Sequence, residues 1–139
     1  MNYSGDVTCN QCWETLVSQE TAQLIDVRTV HEWNSAGIPD VSSLGRDTIL
    51  VEWQQFPHMQ VNQDFQDIVS KELEERGASK DTTLFFICQS GIRSRHAAEA
   101  ISAIGYNSAY NVVCGFGGGY PQQDAVSGWK PENLPWRPN

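Results

Sequence analysis

Positive charge is scarce in this sequence. Nine lysines and arginines stand against seventeen aspartates and glutamates, a formal net charge of −8. That balance argues against a nucleic-acid partner and against an anionic membrane surface, both of which select basic faces. It also repels small anions at long range, so any anion site has to be built locally. Long hydrophobic runs are missing too: nothing approaches the ~20 apolar residues of a membrane-spanning helix. The opening "MNYSGDVTCNQCWETL" has neither the basic start nor the apolar centre of a secretory signal, so a cytoplasmic protein is the expectation. There is no internal repeat, low-complexity tract or dividing linker, and 139 residues are read as one domain, 1–139, able to bury a core without staples. The four cysteines, Cys9, Cys12, Cys88 and Cys114, are then thiols by default.

What is present is a regular alternation of short apolar runs with amphipathic stretches. "TCNQCWETLVSQ" predicts a short helix. Thr8 and Gln11 have the spacing of a capping box, and Cys9, Cys12, Trp13 and Leu16 share one face. "QLIDV" (23–27), "TILVEW" (48–53), "TLFFI" (83–87) and "AYNVV" (109–113) read as strands. "VNQDFQDIVSKELEERGAS" predicts a helix with Asn62 as N-cap, an apolar stripe of Phe65, Ile68, Val69 and Leu73, and Gly77 as terminator. A further helix runs from Arg93 to Ile104 on Ala97, Ala98, Ile101 and Ile104, stopped by Gly105. Nearly all-apolar strands between helices imply an α/β fold. Its central parallel sheet has about four to five strands, with helices on both faces. From 115 onward the chain is rich in glycine and proline, so 115–139 is expected to be an irregular tail packed on the body, with Trp129 and Trp136 as anchors.

Cys88 stands where chemistry is expected. Ligands of open parallel sheets bind outside the carboxyl ends of the strands, and Cys88 directly follows "LFFI". "QSGIRS" then leads into a helix, so loop N–H groups and the helix N-terminus can converge on the sulfur. An ordinary thiol has a pKa of about 8.5, which helix N-termini and nearby cations can lower to ~3.5–7.5. Gly91 permits backbone angles closed to other residues, and Arg93 adds a cation. The bland alternative is a buried structural thiol. Four residues separate Cys88 from Arg93, one fewer than in phosphate-hydrolysing cysteine loops. A tighter ring suits a smaller anion, such as the terminal sulfur of a persulfide.

Three stretches in order resemble the rhodanese family, single-domain sulfurtransferases of the thiosulfate type. "LIDVRTVHEWNSAGIPD" (24–40) is similar to its first signature, "ICQSGIRSRHAAEAISAIGYNSAYNVVCGFGG" (87–118) to its active-site loop and the elements after it, and "GWKPENLPW" (128–136) to its closing segment. The resemblance implies a rhodanese-like fold and a ping-pong reaction. Cys88 takes the outer sulfur of a small donor, thiosulfate or a persulfide, becomes a persulfide, and passes the sulfur to a thiol or protein acceptor. Gln89, Ser90, Gly91, Ile92, Arg93 and Ser94 would hold that persulfide. No metal and no organic cofactor is implied, and a monomer is expected. Two departures stand out. Gln89 replaces the arginine that often follows the cysteine, which weakens the pull on an anionic donor. "AGIPD" (36–40) lacks the family's histidine, read as structural variation. Asp26 and Arg28 match family positions and are expected to form an ion pair that holds the fold.

Other constellations carry less. Cys9-x-x-Cys12 lacks a preceding strand for a redox pair and two further ligands for zinc. Two small thiols on an apolar face is the preferred reading, with resolution of a Cys88 persulfide as a further use. Cys114 ends a strand, and "GFGGG" beyond it is a candidate pocket wall, although a loop cysteine without a role is the preferred reading. His96 is not needed as a base, because a preformed thiolate attacks without one. Trp53 and Phe56 line either a pocket mouth or the core. Two other functions stay open beside sulfur transfer: a binding or regulatory module of the same fold without turnover, and a cysteine phosphatase or arsenate reductase, disfavoured by the short loop.

Overall fold

The computed structural model describes residues 2–117 and 128–139. In chain order the elements are β1 (Gly5–Val7), α1 (Cys9–Ser18), β2 (Gln23–Asp26), α2 (Val30–Ala36), β3 (Ile38–Pro39), a 3-10 turn (Ser42–Leu44) and β4 (Ile49–Leu50). They continue with β5 (Gln54–Gln55), β6 (Gln60–Val61), α3 (Phe65–Glu75), β7 (Leu84–Ile87), α4 (Ile92–Ala103), β8 (Ala109–Val112) and β9 (Trp136–Arg137). Five strands make one parallel sheet in the order β1-β8-β7-β2-β4. β3 pairs with β9 and β5 with β6, both antiparallel. Among the described residues no helix is long and apolar enough to cross a membrane.

The α/β class with a central parallel sheet is the one the sequence pattern implies, and β7, the strand before Cys88, lies in the middle of it. Both faces of β7 are buried, and the pleat sends successive side chains to opposite sides. Leu84, Phe86 and Cys88 face one core with Phe65, Val69 and Leu73 of α3 and Ala97, Ala98 and Ile101 of α4. Phe85 and Ile87 face the other, with Cys9, Cys12 and Leu16 of α1, Phe116 and Trp129.

Several expectations change in detail. The capping box at α1 forms with Thr8 and Gln11. For α3, however, Asp64 occupies the N-cap position. Asn62 instead accepts from the Asp64 N–H at 3.0 Å and donates to the Glu52 carbonyl, a side-chain turn that leads the chain into the helix. Ile68 is 44% exposed. At about 100° per residue, the stripe of Phe65, Val69 and Leu73 is centred about 100° away from it. The run "TILVEW" contributes only Ile49–Leu50 as strand. β1 and α2 were not legible as elements: three residues with no apolar run, and seven residues that are too short for a period. Trp129 is fully buried, whereas Trp136 is 39% exposed and sits on β9 with the Lys130 ammonium 3.9 Å from its ring centroid.

Candidate active site

The register of the sheet assembles the site. Asp26 pairs with Ile87, and the Val27 N–H donates to the Ile87 carbonyl at 2.9 Å, so the residues after β2 run beside Cys88. Cys88 is 1% exposed. Its Sγ accepts from the backbone N–H of Gly91 at 3.1 Å and of Ser94 at 3.3 Å, and lies 3.2 Å from the Ser94 Oγ. Those donors belong to the loop turn and the first turn of the twelve-residue α4. The positive end of the helix and two free amides therefore meet at the sulfur.

Gly91 is what allows this turn. Its φ is 96°, and a Cβ there would stand 2.2 Å from the Val113 carbonyl oxygen. The Asn111 amide holds the turn from below. Its Nδ2 donates to the Gly91 carbonyl at 3.0 Å and to Asp6 at 3.1 Å, and its Oδ1 accepts from the Ser94 hydroxyl at 2.6 Å. On the far side the backbone of 115–117 lies against the loop: Phe116 donates to the Cys88 carbonyl at 2.8 Å and Gly117 to that of Gln89 at 3.2 Å. Gly118 and Gly119, the rest of the expected glycine wall, lie outside the described residues.

Arg93 does not reach for the sulfur. Its Nη1 and Nη2 donate to the two carboxylate oxygens of Glu32 at 2.7 and 2.9 Å, a bidentate pair with side chains 19% and 25% exposed. Burial alone would raise Glu32. The Arg93 hydrogen bonds, the Thr29 backbone N–H and the Arg93 charge outweigh it and bring its pKa down to about 2. The same hydrogen bonds raise Arg93, with the Cys88 and Asp26 charges adding to the effect. Glu32 is also the third residue of α2 and closes a capping box with Thr29. Sequence reasoning missed it. "TVHE" carried the signal for the helix start, but nothing local points to a partner 61 positions away.

The ion pair expected of Asp26 and Arg28 forms, fully buried, with Nη2 2.8 Å from Oδ2. Nη2 also donates to the Gly37 carbonyl at 2.8 Å, which ties the "AGIPD" turn to the sheet edge. The guanidinium lies 4.1 Å from the centroid of the Phe116 ring, and among the described residues its Nη1 has no hydrogen-bond partner. Of the other loop residues Gln89 and Ile92 are exposed and Ser90 half-buried.

The remaining candidates separate from the site. Cys9 and Cys12 are buried in the core on the opposite face of the sheet, and half-buried Cys114 packs against that core. The Cys9 thiol donates to the Gly115 carbonyl at 3.3 Å. Burial raises both Cys9 and Cys12, with Glu132 and Cys114 adding at Cys9 and Cys9 adding at Cys12. Their faces make them poor partners for Cys88. His96 is exposed beside Glu99. Trp53 packs half-buried against the core, edge-on to Phe65 at 5.0 Å, while Phe56 is 57% exposed and edge-on to His31 at 5.7 Å. Among the described residues no cluster of three ligands could hold a metal ion.

The family described as the STR4 middle domain matches residues 4–139. An uncharacterized protein of Rickettsia conorii, RC0915, is 36% identical over 136 residues, 95% of this chain and 96% of its own. Among solved structures, Rv0390 from M. tuberculosis has a TM-score of 0.82 at 38% identity, over 99% of this chain and 100% of that one. A rhodanese-like domain protein from Staphylococcus aureus has 0.52 at 21% identity, over 86% and 94%. The polysulfide-sulfur transferase homodimer from Wolinella succinogenes has 0.57 at 17%, over 95% and 77%. The likeness to these last two is one of fold.

Proposed function

Because this chain belongs to the STR4 middle-domain family and has the rhodanese-like fold, we propose that it is a sulfurtransferase working through a persulfide on Cys88. The observation that carries this reading is the convergence of the Gly91 and Ser94 N–H groups on the Cys88 sulfur at the start of α4. Charge-assisted bonds of this kind are each worth ~1.5–3 kcal/mol. They favour an anionic sulfur, which is the form that attacks.

With thiosulfate as donor, the Cys88 thiolate attacks the outer sulfur, the sulfur–sulfur bond breaks and sulfite leaves with its electron pair. Cys88 then carries the outer sulfur as a persulfide anion. A thiol or protein acceptor takes that sulfur and returns the thiolate; cyanide does the same in an assay and becomes thiocyanate. A second reading is a module of this fold that does not turn over, and the 1% exposure of Cys88 favours it. A cysteine phosphatase or arsenate reductase finds less support, because Arg93 is held on two nitrogens by Glu32 instead of standing free to clamp oxygens.

The test is intact-protein mass before and after incubation with thiosulfate, and separately with cysteine hydropersulfide, on wild type and Cys88→Ser. Gain of one sulfur atom on wild type alone, removed by cyanide with release of thiocyanate, is the expected result. No gain from either donor sinks the transferase and leaves the binding module.

A further inference from the structure

We propose that the donor is an organic hydropersulfide, R–S–SH, in preference to a sulfur oxyanion such as thiosulfate, and that Glu32 sets this preference. The inference rests on sulfur transfer at Cys88 and concerns which molecule supplies the sulfur.

A dianionic donor needs uncompensated positive charge at the mouth of the site. Three guanidiniums belong to the elements around Cys88. Arg95, in the first turn of α4, is exposed and lies close enough to Tyr3 for its charge to act there; the other two, Arg28 and Arg93, each have a counter-ion. Arg28 is sealed with Asp26 at 2.8 Å and both side chains are 0% exposed. Arg93 is bound by both oxygens of Glu32 at 2.7 and 2.9 Å. Each pair sums to zero, Gln89 adds no charge, and the whole chain carries −8. Glu32 stays ionised far below neutral pH, so Arg93 remains compensated under all ordinary conditions. The α4 N-terminus and the loop amides remain, but they serve the sulfur itself.

Shape points the same way. Cys88 is 1% exposed, so bulk next to the donor's terminal sulfur works against its reaching the thiolate. In thiosulfate a tetrahedral trioxide group is joined directly to that sulfur. In R–S–SH the next atoms are a single sulfur and a methylene, slimmer and less charged. Two aliphatic side chains beside the pair in sequence are exposed: Ile92, next to Arg93, at 44%, and Val30, two residues before Glu32, at 48%. Aliphatic side chains suit a carbon carrier better than an oxyanion.

The step is balanced without an oxidant. The Cys88 thiolate attacks the terminal sulfur of R–S–SH, the donor's sulfur–sulfur bond breaks, R–S⁻ leaves with the electron pair and takes a proton from water, and Cys88–S–SH is formed.

Loading is measured by intact mass against time, with cysteine hydropersulfide and with thiosulfate at matched concentrations. The proteins compared are wild type, Glu32→Gln and Gln89→Arg, with Cys88→Ser as blank and thermal midpoints recorded for each. Glutamine at position 32 keeps the capping acceptor, as Gln11 does in the α1 box, and removes the charge; position 89 is exposed. Wild type is expected to load from the hydropersulfide at least ~tenfold more efficiently than from thiosulfate. Each variant should raise the ratio of thiosulfate to hydropersulfide efficiency by about tenfold, the scale of one uncompensated charge beside a dianion. Equal loading of wild type from the two donors overturns the inference while sulfur transfer stands. So does a folded Glu32→Gln or Gln89→Arg with that ratio unchanged. Loading from neither donor removes sulfur transfer itself, and the inference with it.

Discussion

The hydroxyl of Ser94 has one proton and two claimants. It donates to Asn111 Oδ1 at 2.6 Å while its oxygen lies 3.2 Å from the Cys88 sulfur. As a thiol, Cys88 can donate to that oxygen. As a thiolate it cannot, and the hydroxyl proton then serves the sulfur better than the amide. Hydroxyl rotors turn freely enough to follow the charge. Asn111 cannot, because both its N–H groups are committed to Asp6 and Gly91. Ser94→Ala should therefore cost about 1 kcal/mol of stability, the worth of one ordinary hydrogen bond. It should also slow Cys88 loading by roughly five- to tenfold, since a charge-assisted bond is about twice as strong as a neutral one. Urea unfolding and mass-detected loading read the two effects separately; unchanged loading would show that the hydroxyl serves only the Asn111 network.

At the scale of elements, the site is a matter of how β7 turns into α4. Two glycines with similar backbone angles show what the turn demands. Gly91 has φ 96° and a Cβ there would collide with the Val113 carbonyl at 2.2 Å; Gly77, after α3, has φ 78° and open space around it. Gly77→Ala should cost about 1 kcal/mol, the left-handed backbone penalty alone. Gly91→Ala should cost ~3 kcal/mol or more, because the β8–loop contact must also open. Denaturant midpoints of the two variants decide this. Equal losses would mean that the crowding at Gly91 relaxes easily. Strand β7, helices α1, α3 and α4 and the position of Cys88 were all legible from local pattern, since each has either an apolar run or a helical stripe of its own. β1 and α2 were not. β1 exists because β8 offers it a parallel edge, and α2 because Thr29 and Glu32 cap each other over only seven residues.

Across the whole molecule, the Glu32–Arg93 pair ties α2 to the loop of Cys88, and its charge makes that tie depend on pH. Glu32 titrates near 2 in the folded chain against an ordinary 4.5. A depressed carboxyl contributes stability that is fully present above its ordinary value and is lost as pH falls toward the folded one. The difference amounts to about 3 kcal/mol at most. Glu32→Gln should thus be less stable than wild type at pH 7, and the gap should close between pH 4.5 and 2. Urea unfolding of both proteins across that range tests it, and a gap that does not change with pH would assign the loss to packing instead of charge.

Local chemistry determined much of this protein. An apolar strand run, a cysteine at its end, a glycine that must turn and a helix stripe beyond it specify a thiol at a helix N-terminus, because each of those features is encoded within a few neighbouring residues. Only the tertiary structure decided where Arg93 points. Its partner lies 61 positions away on a helix too short to announce itself, and the sheet register that brings β2 beside β7 is what carries Glu32 to it. Spacing along a chain tells which charges a loop contains. Whether a charge is available to a ligand depends on what the fold sets against it.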